Sequence, residues 1–104
     1  MQTITPFELY EYLQDHQPIL LDVREPEEFA ICHIENSLLI PMGEISSRIQ
    51  ELDEDDEIIC ICHHGMRSMQ VAMYLQSQGF NKLINLTGGI EAWAANVDPN
   101  MQRY

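Results

Sequence analysis

The 104-residue chain predicts an α/β fold: a mainly parallel sheet with helices covering both faces. Three observations lead there. Short apolar runs alternate with segments of helical spacing. The runs are apolar nearly throughout, as strands buried on both faces are. Capping residues, prolines and glycines punctuate the segments between them. With 45% apolar residues the chain can bury one packed core, so residues 1–104 are expected to form a single domain.

Each element follows from local chemistry. Thr5-Pro6-Phe7-Glu8 supplies a capping hydroxyl, a proline for the first helical position and a glutamate three residues on, opening a helix with Leu9, Tyr12 and Leu13 on one face. Ile19 to Val23 reads as a buried strand, and Pro26 to Phe29 opens a short helix. Ser37 to Ile40 reads as a second strand, and Gly43 to Leu52 carries helical spacing through Ile45, Ile49 and Leu52. Glu57 to Ile61 is a third strand. Arg67 to Gln78 is a helix stopped by Gly79. Lys82 to Leu86 is the last strand, and Thr87-Gly88-Gly89 turns the chain into a helix through Trp93.

Charge removes whole classes of function. Seventeen acidic residues against five Lys plus Arg give a formal net charge of −12, which repels a phosphate backbone and excludes nucleic acid as a partner. The same field opposes small anions, so an anionic substrate needs local features to hold it. The acidic run Glu51 to Glu57 reads as a solvated connection before a strand. No stretch approaches the roughly 20 apolar residues that cross a bilayer, and Met1 to Pro6 lacks the features of a signal peptide, so no membrane is expected and a cytoplasmic location is. Three cysteines without a secretory signal read as thiols rather than a disulfide framework.

Ile58-Ile59-Cys60-Ile61-Cys62-His63-His64-Gly65-Met66-Arg67-Ser68 is the most informative stretch. A strand delivers Cys62 to a short glycine-containing loop that a helix continues. The N–H groups of residues 63 to 67 can then point inward around the sulfur. Helix N-termini and turns of successive N–H groups favour negative charge, and thiols placed there ionise more easily than free cysteine, whose pKa is about 8.5. In open parallel sheets, sites gather beyond the carboxyl ends of the strands. The turns after Val23 and Leu86 reach that rim, bringing Arg24, Glu25 and Thr87-Gly88-Gly89 toward Cys62.

Three segments together resemble the single-domain rhodanese family, over nearly the whole chain. Leu20 to Phe29 followed by His33-Ile34 is similar to the family's N-terminal signature, Cys62 to Ser68 to its active-site loop, and Leu86 to Trp93 to its C-terminal signature. The resemblance implies a five-stranded, mostly parallel sheet and sulfurtransferase activity through a persulfide on Cys62. A small donor such as thiosulfate would load the sulfur, and a thiol or cyanide acceptor would remove it. It implies a substrate and anion loop of His63, His64, Gly65, Met66 and Arg67, with Arg67 closing the loop and pairing with a carboxylate. Asp22, Arg24 and His33 of the N-terminal signature are expected as structural support. No cofactor and no metal are implied.

Loop length separates two chemistries. Cys62 through Arg67 is six positions. Related phosphatases of the cell-division-cycle type carry one residue more, so the count favours sulfur over phosphate. The chain departs from the family's common Gly-His-Ile-Pro-Gly-Ala at Cys32-His33-Ile34-Glu35-Asn36-Ser37. The ending Val97-Asp98-Pro99-Asn100 to Arg103-Tyr104 resembles rhodanese domains fused to enzymes that activate sulfur carriers, which implies a sulfur-carrier protein as a partner. A binding or relay module serving such a carrier is therefore the alternative to an enzyme.

The remaining candidates have plainer readings. Cys60 shares a face with Cys62 by strand alternation and reads as a small buried hydrophobe, with a resolving thiol as the alternative. Cys32 is divided between packing and a redox role. Adjacent ligands on a strand and a tight loop do not close a tetrahedron, so Cys60, Cys62, His63 and His64 are not read as a metal site. Trp93 and Phe29 read as core. Met66, Met69 and Met73 suggest a soft packing face on their helix.

Overall fold

A computed structural model describes residues 1–104. Five strands form one sheet: β1 (Gln2–Ile4), β2 (Ile19–Asp22), β3 (Leu38–Leu39), β4 (Ile58–Ile61) and β5 (Leu83–Leu86). Their order across the sheet is β1-β5-β4-β2-β3, and every neighbouring pair is parallel. The expectation of a mostly parallel sheet is thus met by a wholly parallel one. The fifth strand is β1, a segment with no strand signal in the sequence. It is a three-residue edge strand, exposed along most of its length, and it exists through its pairing with β5.

The helices are α1 (Pro6–Tyr12), α2 (Pro26–Ile31), α3 (Ile45–Arg48), α4 (Met66–Ser77) and α5 (Gly89–Asn96). Thr5 starts α1 through a reciprocal cap. Its Oγ1 accepts from the Glu8 N–H at 3.2 Å while Glu8 Oε1 accepts from the Thr5 N–H at 2.9 Å. The helix expected over Gly43 to Leu52 is a single α-turn, α3, between the tighter 3-10 turns Met42–Glu44 and Ile49–Glu51. Asn36, where the family pattern has glycine, has φ 69°, and asparagine is among the few residues that take this left-handed conformation.

Alternation along β4 divides the core. Ile58, Cys60 and Cys62 face a layer with Val71, Ala72 and Leu75 of α4, whereas Ile59 and Ile61 face a layer with Leu9 of α1 and with Ile90 and Trp93 of α5. The chain leaving β4 therefore packs on one face. The chains leaving its neighbours β2 and β5 pack Cys32, Ile34, Ile90 and Trp93 on the other. Cys62 stands at the carboxyl end of β4, the end of an open parallel sheet where sites gather, and is almost fully enclosed there.

The helix α4 corrects the methionine expectation. Its buried face is Ser68, Val71, Ala72 and Leu75, while Met66 and Met73 are 76% and 58% exposed. Methionine spacing matched a helix period, but it ran along the outer face.

Candidate active site

Cys62 follows the last residue of β4 and is 1% exposed. The Gly65 N–H donates to its Sγ at 3.0 Å. It is the one loop amide that makes a hydrogen bond to the sulfur, where the sequence predicts a ring of inward N–H groups from residues 63 to 67. The rest of the favourable field comes from the N-terminus of α4, for which Gly65 is the cap residue. The loop's first carbonyls are drawn away from the sulfur. Cys62 O accepts from the Ile90 N–H at 2.9 Å and His63 O from the Glu91 N–H at 3.0 Å, so the start of α5 holds them.

Two glycines make this approach possible. Gly65 has φ 100°, and a Cβ there would press within 3.3 Å of Leu86 O and Gly88 N. Gly89 has φ 61°, and a Cβ there would collide with the carbonyl oxygens of Cys62 and His63.

Two buried polar side chains complete the surroundings of the sulfur. Ser68 Oγ lies 3.3 Å from Cys62 Sγ and 2.5 Å from Asn85 Oδ1, and Asn85 Nδ2 donates to Gly65 O at 3.0 Å. Gly65 O can only accept, which orients the amide and turns Oδ1 toward Ser68. A hydroxyl has one proton. While Ser68 gives it to Asn85, its oxygen can accept from the Cys62 thiol; once the sulfur is ionised, the hydroxyl can turn and donate to it.

Two arginine–carboxylate pairs stand near the loop, one enclosed and one at the rim. Arg24 and Asp22 are both fully buried, with Arg24 Nη2 2.8 Å from Asp22 Oδ2. Arg24 also donates to Cys32 O at 2.7 Å and to Tyr104 Oη at 2.8 Å. Burial opposes the charge on Arg24, but its bonds to Asp22 and Tyr104 outweigh that and raise its pKa. Nearer the mouth, Arg67 Nη1 and Nη2 donate to Glu28 Oε1 and Oε2 at 2.8 and 2.9 Å. Tyr104 joins the pairs by donating its hydroxyl proton to Glu28 Oε2 at 2.9 Å. The Arg67 guanidinium, more than any other partner, pulls the Glu28 pKa down to about 2.

The comparisons with known proteins agree with this architecture. Residues 5–96 match the family model of the rhodanese-like domain. This chain belongs to the rhodanese-like family. It is 45% identical over 85 residues to the putative sulfurtransferase YtwF of Bacillus subtilis, covering 82% of each chain. It is 44% identical over 79 residues to the putative sulfur carrier protein YrkF of the same organism, covering 76% of this chain but 43% of that longer protein. Among solved structures, a rhodanese-related protein from Thermoplasma volcanium superposes with a TM-score of 0.85 at 33% identity, covering 93% of this chain and 94% of that one.

Within this rhodanese-like domain the residues singled out from sequence have different fates. Cys62, Gly65 and Arg67 come together at the loop. His63 lies within it, its ring stacked on Tyr104 with centroids 4.0 Å apart. Burial, then the neighbouring His64, lowers the His63 pKa, so its ring is neutral near neutrality. His64 and Met66 are exposed at the mouth. Asp22 and Arg24 form the enclosed pair. His33 stays apart, bonding its Nδ1 with Phe29 O at 2.8 Å and stacking on Phe29, with no hydrogen bond to the loop. Cys60 lies in the core, where burial pushes its thiol up to about 12, and all three cysteines are unpaired. No helix is long and apolar enough to cross a membrane.

Sequence reasoning did not assign roles to Ser68, Asn85, Glu28 or Tyr104. Ser68 and Glu28 stood inside the quoted signatures, where their residue types could have flagged them. Asn85, a polar residue in an otherwise apolar strand, was the one signal for a buried bonding partner. Nothing local could have placed Tyr104 against residues about eighty positions earlier.

Proposed function

We propose that this protein is a sulfurtransferase that carries sulfane sulfur as a persulfide on Cys62. The observation that carries the reading is the sulfur's position: it lies at the end of the central strand, bonded by the Gly65 N–H and facing the N-terminus of α4. In the first step the Cys62 thiolate attacks the outer sulfur of a donor such as thiosulfate. A new S–S bond forms at Sγ, the donor's S–S bond breaks, and its electron pair leaves on sulfite. In the second step a nucleophilic acceptor, cyanide or a thiol, attacks the terminal sulfur and releases the Cys62 thiolate. Each step exchanges one S–S bond or its equivalent, so no external oxidant is needed.

The chain's own groups serve both steps. The Gly65 N–H and the Ser68 hydroxyl stabilise charge on Sγ when it enters and when it leaves. His63, His64, Met66 and the Arg67–Glu28 pair line the approach. Three buried, unpaired cysteines suit a reducing compartment such as the cytoplasm. The name of the relative YrkF supports a sulfur-carrier protein as the acceptor.

Incubation with thiosulfate followed by mass spectrometry is expected to add one sulfur atom to Cys62, and cyanide is expected to remove it as thiocyanate. Cys62→Ser should lose both signals. Absence of the adduct with every sulfane-sulfur donor tried would overturn the reading. Partner capture that survives Cys62→Ser, with no adduct in the wild type, would favour a docking module instead.

A further inference from the structure

Charge is not spread evenly along the chain. Residues 58–90 contain no Asp or Glu, although they include the Cys62 loop, α4 and β5; the other 71 residues carry all seventeen acids against three arginines, a net of −14. The two cations inside the acid-free stretch are committed: Arg67 donates to Glu28, and Lys82 to the carbonyl of Asp55. Strands β4 and β5 are mostly buried. The surface that this stretch supplies is therefore the loop mouth, the outer face of α4 and the turn that follows it.

That outer face is uncharged and largely apolar. Met66, Gln70, Met73, Tyr74 and Ser77 are exposed along it, beside the half-buried Met69. Spacings of three and four keep them on one side of a helix about 18 Å long. The face begins beside the sulfur, since Met66 follows Gly65, whose N–H bonds Cys62 Sγ. At its far end a cleft of about 180 Å³ opens between Gln76, Phe80, Asn81 and Leu83 on one side and Met1 and Gln2 on the other, again with no charged side chain. Exposed apolar surface bordered by charge has the anatomy of an interface, and methionine adapts to the shape of what it meets there.

The border decides what fits. Glu28 stands at the mouth on Arg67, and Glu44 lies in the 3-10 turn that packs against α4. The Glu54 carboxylate stands against Gly79, just past the helix, with Oε1 3.2 Å from where a Cβ would lie. Glu54 has no cation, because all five Lys and Arg side chains are bonded elsewhere. A second copy of the chain would bring its own −12 against this border, and an anionic membrane surface would be repelled in the same way. A protein with an apolar centre ringed by Lys and Arg finds contact in the middle and attraction at the edge.

We propose that the outer face of α4 docks a partner protein whose apolar contact surface is ringed by Lys and Arg, and so brings that partner's thiol to Cys62 as the sulfur acceptor. This rests on the persulfide reading above and adds the surface that selects the acceptor. The acceptor thiolate attacks the outer sulfur of the Cys62 persulfide. A new S–S bond forms on the acceptor, the bond to Cys62 Sγ breaks, and its electron pair stays on Cys62 as the thiolate, so the exchange is redox-neutral. Docking raises the acceptor's effective concentration at the mouth and leaves the chemistry at the sulfur unchanged.

The probes are two helical peptides with the same leucine face and a terminal cysteine, one ringed by lysines and the other by glutamates. Cys62 is loaded from a sulfane-sulfur donor, and loss of the added sulfur is followed by mass spectrometry with each peptide, with free cysteine and with cyanide. The lysine-ringed peptide is expected to unload Cys62 about tenfold faster than the glutamate-ringed one or free cysteine. Met73→Ser together with Tyr74→Ser should remove that advantage and leave loading, and unloading by cyanide, unchanged. Phe7→Ser, which alters an exposed apolar residue of α1 on the other side of the sheet, should leave it intact. Fluorescence anisotropy of labelled peptides with serine for cysteine should give the same order of affinity for the unloaded protein. Equal rates or equal affinities for the two peptides, or a loss as large from Phe7→Ser, overturns the inference and leaves the sulfurtransferase reading standing. Dimers of the free chain that Met73→Ser dissociates would assign the face to a second copy and overturn it as well. Absence of an adduct on Cys62 with every donor tried overturns both.

Discussion

Arg24 with Asp22 and Arg67 with Glu28 are two arginine–carboxylate pairs bridged by one hydroxyl, that of Tyr104. Their surroundings differ. The side chains of the first pair are both 0% exposed, whereas those of the second are 36% and 20% exposed. An enclosed pair has no water to fall back on, so each partner depends on the other and the pair acts as scaffold. A rim pair keeps part of its hydration, and removing one partner leaves a charge that solvent can tolerate. The same two side-chain types therefore form an enclosed scaffold in one place and a solvent-accessible ion pair beside the loop in the other.

The largest effect should come from breaking the enclosed pair. Asp22→Asn leaves the Arg24 guanidinium buried with neutral acceptors only, and unfolding in urea should show a loss of about 3–5 kcal/mol. A loss under about 1 kcal/mol would mean that the Cys32 and Glu28 carbonyls and Tyr104 suffice to hold that charge.

Acid should act on the rim pair with a smaller effect. The Glu28 pKa is held at about 2, below its ordinary 4.5, so its stabilising contribution is complete above 4.5 and is lost as pH falls from there toward 2. The stability difference between wild type and Glu28→Gln should shrink across that window by about 1–2 kcal/mol, allowing for the pair's solvent contact. A difference that stays constant through the window would show that the carboxylate gains nothing from Arg67 in the folded state.

The smallest effect belongs to the bridge. Tyr104→Phe removes the hydroxyl that joins the pairs but keeps the ring on His63, and should cost about 0.5–1 kcal/mol in the same unfolding experiment. A cost as large as that of Asp22→Asn would mean that the two pairs form one cooperative unit.

Local chemistry made much of the fold legible. The Thr5 cap, the apolar runs of β2, β4 and β5 and the stop at Gly79 all act within a few residues of chain, so they can be read without knowing what packs where. The left-handed Gly65 before α4 belongs to the same class, and so does the six-residue span from Cys62 to Arg67. Hydrophobic period misled at Met66 and Met73, because it reports a helix but not which apolar face has a partner.

Residue order alone told which segments become strands and helices, and where a loop cysteine would meet a helix start, because caps, turns and periodicity are short-range effects. Assembly settled the rest. The edge strand β1 needs β5 beside it, Glu28 reaches Arg67 across 39 positions, and Tyr104 bonds to Arg24 across 80. Such contacts depend on the order of strands in the sheet and on the faces their helices cover, which no stretch of sequence a few residues long encodes.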